Sequence, residues 1–251
     1  MERLYRAGEE DPERQTDLSI ATLLSEYEPS EPGTTGRPFF AANMVTSLDG
    51  RAAIGGRSKL LGSERDAELL MGLRTRFDAL LVGASTLRSE RYGPLVRNPD
   101  IRLARERAGL EPDPLAVVMT RSMDLPWDCP LFTEGVGRVV IYTGVDREPP
   151  STATEVEVVA VGSDPDVVGL AAWLDGAGIR SVLCEGGPEI LGQLLQADLL
   201  DELFLTVHPV TTGEADAPRI VEGPGGAITE FELIEVSREG DELFTRFRPR
   251  R

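Results

Sequence analysis

From residue 38 to residue 207 short apolar runs alternate with longer stretches of helical period, and this alternation constrains the chain more than any other feature. Strands joined through helices pair in parallel, so they are expected to form one sheet with helices on both faces. Strands are read at 38–45, 79–83, 115–119, 138–142, 155–160, 180–184 and 202–207, and helices at 63–76, 98–108, 166–175 and 188–196. After residue 207 the pattern changes. Segments 231–236 and 242–247 alternate apolar and polar residues around Ser-Arg-Glu-Gly-Asp, which predicts an antiparallel hairpin. The expected class is therefore α/β with a mixed, mostly parallel sheet.

Residues 1–36 read as a polar N-terminal extension with one short amphipathic helix over 17–27, carried by Leu18, Ala21 and Leu24 and capped by Asp17. A Pro- and Gly-rich stretch then leads into a main domain over 37–251. With 41% hydrophobic and 27% charged residues the composition is that of a globular protein, and no run approaches the roughly 20 apolar residues that span a bilayer. The N-terminus lacks the apolar core of a signal peptide, so a cytoplasmic location is expected. A formal charge of −17 argues against general affinity for nucleic acid and requires any anionic ligand to be met by locally gathered arginines. Cys129 and Cys184 have no metal-type spacing, and no metal is expected.

Three strand ends carry residues suited to a ligand. Apolar Phe39–Ala42 runs into Asn43-Met44-Val45-Thr46-Ser47-Leu48-Asp49-Gly50, where polar groups at the end of a strand covered on both faces call for a partner. A plain turn with Gly50 at positive φ would also account for Ser-Leu-Asp-Gly. The run 79–83 breaks at Gly83 and continues through Ala84, Ser85 and Thr86, an edge that lets a ligand approach the backbone. The third, Glu185-Gly186-Gly187-Pro188-Glu189-Ile190-Leu191, is sharper. Here an acid ends a strand, two glycines clear a path, and Pro188 opens a helix whose free N–H groups can hold phosphate oxygens. Ser63-Glu64-Arg65-Asp66 looks like a helix start with acids in the first turn, a mainly structural role. The glycine-rich segment between Gly50 and Ser63 suits either a cover over a ligand or a plain surface loop.

Taken together, 43–50, 58–63, 82–86 and 185–191, followed by Asp201-Glu202-Leu203, resemble the pyrimidine reductases of riboflavin biosynthesis over residues 37–249. The resemblance implies a dihydrofolate reductase-like fold with three α/β/α layers, a homodimer, and NADPH-dependent reduction of the ribosylamino group of a 5′-phosphorylated pyrimidine to ribitylamino. It puts Asn43, Asp49, Arg74, Arg97 and Glu185 around the substrate, with Ser58 and Leu60 on the loop nearby. Asp49 and Glu185 would be the acids that act on a cationic imine, and Arg74 and Arg97 would hold the phosphate. Thr46, Ser47, Gly83, Thr86, Gly186, Gly187, Pro188 and Ile190 would line the NADPH side, with Ser122 and Arg121 at the cofactor's 2′-phosphate.

Two departures bear on the substrate. Many bacterial reductases fused to a deaminase carry Lys where this chain has Asn43, and Asp-Asp-Pro where it has Glu90-Arg91-Tyr92-Gly93-Pro94. Asn43 looks more like the stand-alone reductases, some of which act before deamination. Glu90 either replaces the missing acid or is a solvated charge. A zinc deaminase signature is absent from the sequence, whose lone His208 is expected to be structural. Two other readings stay open at this point: reduction of a pterin such as dihydrofolate, and a non-catalytic NADPH-binding dimer.

Overall fold

The computed structural model describes residues 1–8, 16, 18–25, 27–29, 36–223 and 228–251. Its strands are β1 (Glu2–Arg6), β2 (Phe39–Thr46), β3 (Ala79–Gly83), β4 (Leu115–Thr120), β5 (Arg138–Thr143), β6 (Glu155–Ala160), β7 (Ser181–Cys184), β8 (Leu200–Val207), β9 (Phe231–Glu239) and β10 (Glu242–Pro249). Its helices are α1 (Ile20–Leu24), α2 (Glu64–Arg74), α3 (Ala84–Glu90), α4 (Pro99–Arg107), α5 (Pro130–Thr133), α6 (Val167–Gly176) and α7 (Pro188–Gln196), with a single 3-10 turn at Ser58–Leu60.

The strands make one sheet in the order β1-β9-β10-β8-β2-β7-β3-β4-β5-β6. From β8 to β6 every pairing is parallel, while β10, β9 and β1 add antiparallel strands beyond β8. This is the mixed sheet the alternation predicts. Central strands are apolar on both sides because both faces are covered. Ala41, Leu80, Val118 and Leu183 pack toward α1 and α2 on one face, and Phe40, Leu81, Val117 and Val182 toward α6 and α7 on the other. Each buried leucine here contributes roughly 2 kcal/mol. Among the described residues no helix is long and apolar enough to cross a membrane.

The N-terminal stretch differs from expectation. Glu2–Arg6 is a strand paired with β9, so part of the expected extension belongs to the sheet edge. The helix is shorter than 17–27, and its cap is Ser19, whose Oγ accepts from the Thr22 amide at 3.0 Å. Asp17, the cap read from the sequence, lies outside the described residues. Ser63 caps α2 as expected, accepting from the Asp66 amide at 3.1 Å.

Strand β7 positions the site. It follows β6 in sequence yet inserts between β2 and β3, so the chain leaves β2 toward one face and β7 toward the other. A crevice forms at the carboxyl ends of such strands, where the order of connections reverses.

Candidate active site

A cleft of about 640 Å³ opens at the carboxyl ends of β2, β3, β4 and β7. Its size is that of an ordinary small-molecule site. On one side the ends of β3 and β7 meet backbone to backbone: the Gly83 amide donates to Gly186 O at 2.9 Å and the Glu185 amide to Leu81 O at 2.9 Å. A Cβ on Gly83 would stand 3.2 Å from Gly187 N and 3.2 Å from Ile190 Cδ1, and one on Gly187 would stand 3.1 Å from Thr86 Oγ1. The approach is tightest at Gly83, where the neighbour is backbone and cannot give, whereas the Thr86 side chain facing Gly187 can. Gly186 has φ +94°, and the Gly186–Gly187 peptide is cis. Beyond them Pro188 begins α7 beside Thr86, and because the Ile190 and Leu191 amides donate to Gly187 O at 3.0 and 3.2 Å, the expected row of free N–H groups narrows to that of Glu189. Arg121 and Ser122, just past β4, continue this wall, and Arg121 stands 3.7 Å from Glu189.

The other end of the cleft is polar and acidic. Glu185 is nearly enclosed and is gripped by Arg74, with Nε to Oε1 at 2.7 Å and Nη2 to Oε2 at 2.6 Å. The guanidinium also lies over the Tyr92 ring, 5.4 Å from its centroid. Asn43 lines the same end, and its buried Oδ1 has no hydrogen-bond partner among the described residues. An acceptor left so costs free energy unless a ligand donor completes it. Across the cleft Glu90 Oε1 accepts from the Ser58 amide at 2.7 Å and from the Ser58 hydroxyl at 2.9 Å, tying the 51–63 loop to the end of α3. Glu90 is therefore a loop anchor at the cleft rather than a solvated charge.

Twelve residues picked from the sequence line this cleft: Asn43, Ser58, Gly83, Thr86, Glu90, Arg121, Ser122, Glu185, Gly186, Gly187, Pro188 and Ile190. Six others are placed elsewhere. Asp49 points into its own turn, accepting from the Ser47 hydroxyl at 2.5 Å, the Thr212 and Gly213 amides at 3.1 and 3.0 Å, and the Thr212 hydroxyl at 3.2 Å. The Ser47 hydroxyl and these amides hold its carboxyl well below the usual range. Ser47 is spent on that turn, and the Thr46 hydroxyl is buried, donating to Ser47 O at 3.0 Å. Leu60 is exposed on the 3-10 turn. Arg74 is not part of the cleft lining, and its Nε and Nη2 are taken by Glu185. Arg97 forms a solvent-exposed pair with Glu134, both contacts at 3.0 Å, and packs on Gly93.

Sequence reasoning passed over Asp66 and Tyr92, which both line the cleft. Asp66 reads as a first-turn helix acid and Tyr92 as part of an altered motif. The one available signal was that Ser63 already supplies the cap, which leaves the Asp66 carboxyl without a task in the helix. His208 lies outside the cleft, its Nδ1 3.0 Å from Glu242 Oε1. Both cysteines are buried free thiols, and burial pushes Cys184 up to about 12. Among the described residues no group of three His, Cys, Asp or Glu is placed to hold a metal.

Residues 38–244, which include every strand bordering the cleft, match the family described as RibD C-terminal domain. The chain belongs to that family. Among curated relatives of this RibD C-terminal domain is the 2,5-diamino-6-ribosylamino-4(3H)-pyrimidinone 5′-phosphate reductase of Archaeoglobus fulgidus, 27% identical over 84% of this chain and 99% of the relative. The protein of the same name from Methanothermobacter thermautotrophicus is 28% identical over 75% of this chain and 86% of its own. The Escherichia coli riboflavin biosynthesis protein RibD is 28% identical over 96% of this chain and 67% of its own. A crystal structure of a pyrimidine reductase-like protein from Corynebacterium diphtheriae shares the fold, with TM-score 0.76 and 24% identity over 93% of this chain and all of that one.

Proposed function

We propose that this RibD C-terminal domain uses NADPH to reduce the ribosylamino group of a 5′-phosphorylated aminopyrimidine to ribitylamino in riboflavin biosynthesis. The observation that carries the reading is the division of one cleft into a glycine-cleared wall and an acidic end. The close packing of β3 against the start of α7 at Gly83 and Gly187 leaves main chain rather than bulky side chains along this wall, which suits a dinucleotide. Gly186, Pro188, Ile190 and Thr86 complete that wall, with the Glu189 amide and the Thr86 hydroxyl toward the diphosphate and Arg121 and Ser122 toward a 2′-phosphate.

When bound, the nicotinamide supplies hydride, and the protein supplies orientation and electrostatics. Asn43 and Ser58 orient the pyrimidine in the acidic end. Glu185, fixed in direction by Arg74, faces the positive charge that develops as the sugar carbon becomes an imine. Arg97 is the candidate for the 5′-phosphate. Its pair with Glu134 is exposed and weak enough to be exchanged for a phosphate, and its contact with Gly93 sets it next to Tyr92. The working assembly we infer is a homodimer, and exposed Leu4, Tyr5 and Leu243 on the antiparallel strands offer apolar surface for it.

The test follows NADPH oxidation with the diamino and the deaminated ribosylaminopyrimidine phosphates side by side, with dihydrofolate as control. Oxidation with at least one pyrimidine and none with dihydrofolate is expected. Oxidation with dihydrofolate alone, or with no substrate, would overturn the reading.

A further inference from the structure

Reduction of a closed ribosylamino group needs a proton as well as a hydride. The C1′–O4′ bond must break before C1′ can accept hydride. Its electron pair leaves with O4′, the amino nitrogen's lone pair forms the C1′=N bond, and O4′ takes a proton to become a hydroxyl. Hydride then adds to C1′, and the C=N pair returns to nitrogen. One proton and one hydride are consumed, so the site needs an acid that can hold a proton and release it.

Five described acids line the cleft: Asp66, Glu90, Glu185, Glu189 and Glu222. Both carboxyl oxygens of Glu185 accept from Arg74. Glu90 already accepts two hydrogen bonds from Ser58. Glu189 is 67% exposed and faces Arg121, and Glu222 is exposed and accepts from the Arg219 amide at 3.3 Å. Asp66 alone among these five has a buried carboxyl oxygen, Oδ1, with no hydrogen-bond partner among the described residues. Helix capping does not use its carboxyl, since Ser63 Oγ is the group that receives the Asp66 amide.

We propose that Asp66 donates the proton to the ribosyl ring oxygen as the ring opens, an assignment that rests on the reductase reading above. The groups facing Asp66 come from three elements: Glu242 at the start of β10, Thr206 on β8, and His208 just after β8. Glu242 is itself engaged by His208 Nδ1 and the Ser63 hydroxyl. Burial raises the Asp66 carboxyl to about 6, with Glu242 pushing the same way and Thr206 and His208 opposing. A carboxyl so placed keeps a useful protonated fraction near neutral pH and is ionised by modest alkalinity. Water at the open side of the cleft returns the proton after each turnover.

The test compares wild type, Asp66→Asn and Asp66→Glu with the better pyrimidine substrate, measuring kcat, kcat/KM against pH, and NADPH affinity by fluorescence. Asp66→Asn is expected to lower kcat about 100-fold while leaving NADPH affinity within a factor of two. Wild-type kcat/KM should fall as pH rises through about 6. That fall should vanish in Asp66→Asn and return, with part of the rate, in Asp66→Glu. An unchanged rate in Asp66→Asn overturns the proposal, and so does a lowered rate that keeps the wild-type pH profile, which would mark a structural role. Should Asp66→Asn fail to fold, the wild-type profile and Asp66→Glu decide, and a wild-type profile flat through pH 6 overturns the assignment. Absence of wild-type turnover with either pyrimidine is a different failure, that of the reductase reading, and takes this proposal with it.

Discussion

Two strand ends in this molecule are written alike and used differently. After β2 the chain reads Ser47-Leu48-Asp49-Gly50, and after β7 it reads Glu185-Gly186. In both, an acid follows a buried strand and a glycine at positive φ follows the acid. Asp49 turns back on its own loop and is satisfied by Ser47, Thr212 and Gly213. Glu185 stays in the cleft because its partner, Arg74, approaches from behind through α2. The acid's role is therefore set by the direction from which its donors arrive: Arg74 is 111 residues from Glu185, whereas Asp49 is held by neighbouring Ser47 as well as by distant Thr212 and Gly213.

The largest effect tests the Glu185 side of the comparison. Arg74→Met removes the partner of a carboxylate whose side chain is only 3% exposed. An uncompensated buried charge should cost about 3–5 kcal/mol, read as a lower urea midpoint. A midpoint within error of wild type would show that water reaches Glu185 and that the pair is not what holds it. Next comes chemistry. Glu185→Gln keeps size and loses charge, and we expect kcat to fall about 100-fold with NADPH affinity little changed. Asp49→Asn, at the matching strand end, should change kcat by less than about threefold because its carboxylate faces away from the cleft. Reversal of these two results would return Asp49 to the chemistry and break the comparison.

Gly83→Ala probes the wall opposite the acids. The added Cβ meets Gly187 N, a backbone atom, and Ile190 Cδ1, both at 3.2 Å. The side chain can yield but the backbone cannot, so the expected result is a rise in the Kd for NADPH of about tenfold, with kcat at saturation less affected. An unchanged Kd with wild-type stability would mean that the cofactor does not use this wall.

How much of this was legible in the sequence follows the same physics. The parallel core could be read because its strands are covered on both faces and appear as short unbroken apolar runs such as Leu80-Leu81-Val82. Glu2–Arg6 could not, because a five-residue edge strand with three charged side chains becomes a strand only through its pairing with β9. Gly83 and Gly186 were legible since a close backbone approach at the first and a positive φ at the second favour glycine whatever surrounds them. The polar residues were less so. Arg74 and Arg97 look alike as phosphate ligands in sequence, yet Arg74 is in a buried pair with Glu185 while Arg97 makes only an exposed one with Glu134. Asp66 fits a helix's first turn so well that its second relation, to the cleft, left no mark in the local pattern.

The smallest expected effect concerns what Asp49 does if it does no chemistry. Its folded-state carboxyl is held below the model-peptide value of 3.8, first by the Ser47 hydroxyl and then by the Thr212 and Gly213 amides. For an acid depressed in this way, the stabilisation is present above the unfolded value and is lost as pH falls through the folded one. Asp49→Asn should therefore lower the melting temperature slightly at pH 7, and the gap to wild type should narrow only in strong acid, below pH 3.8. The group is exposed, so solvent and salt screen much of the gain and the difference at pH 7 should be small. A gap that instead stays constant down to strong acid would mean that the turn after β2 is not held by the charge on Asp49.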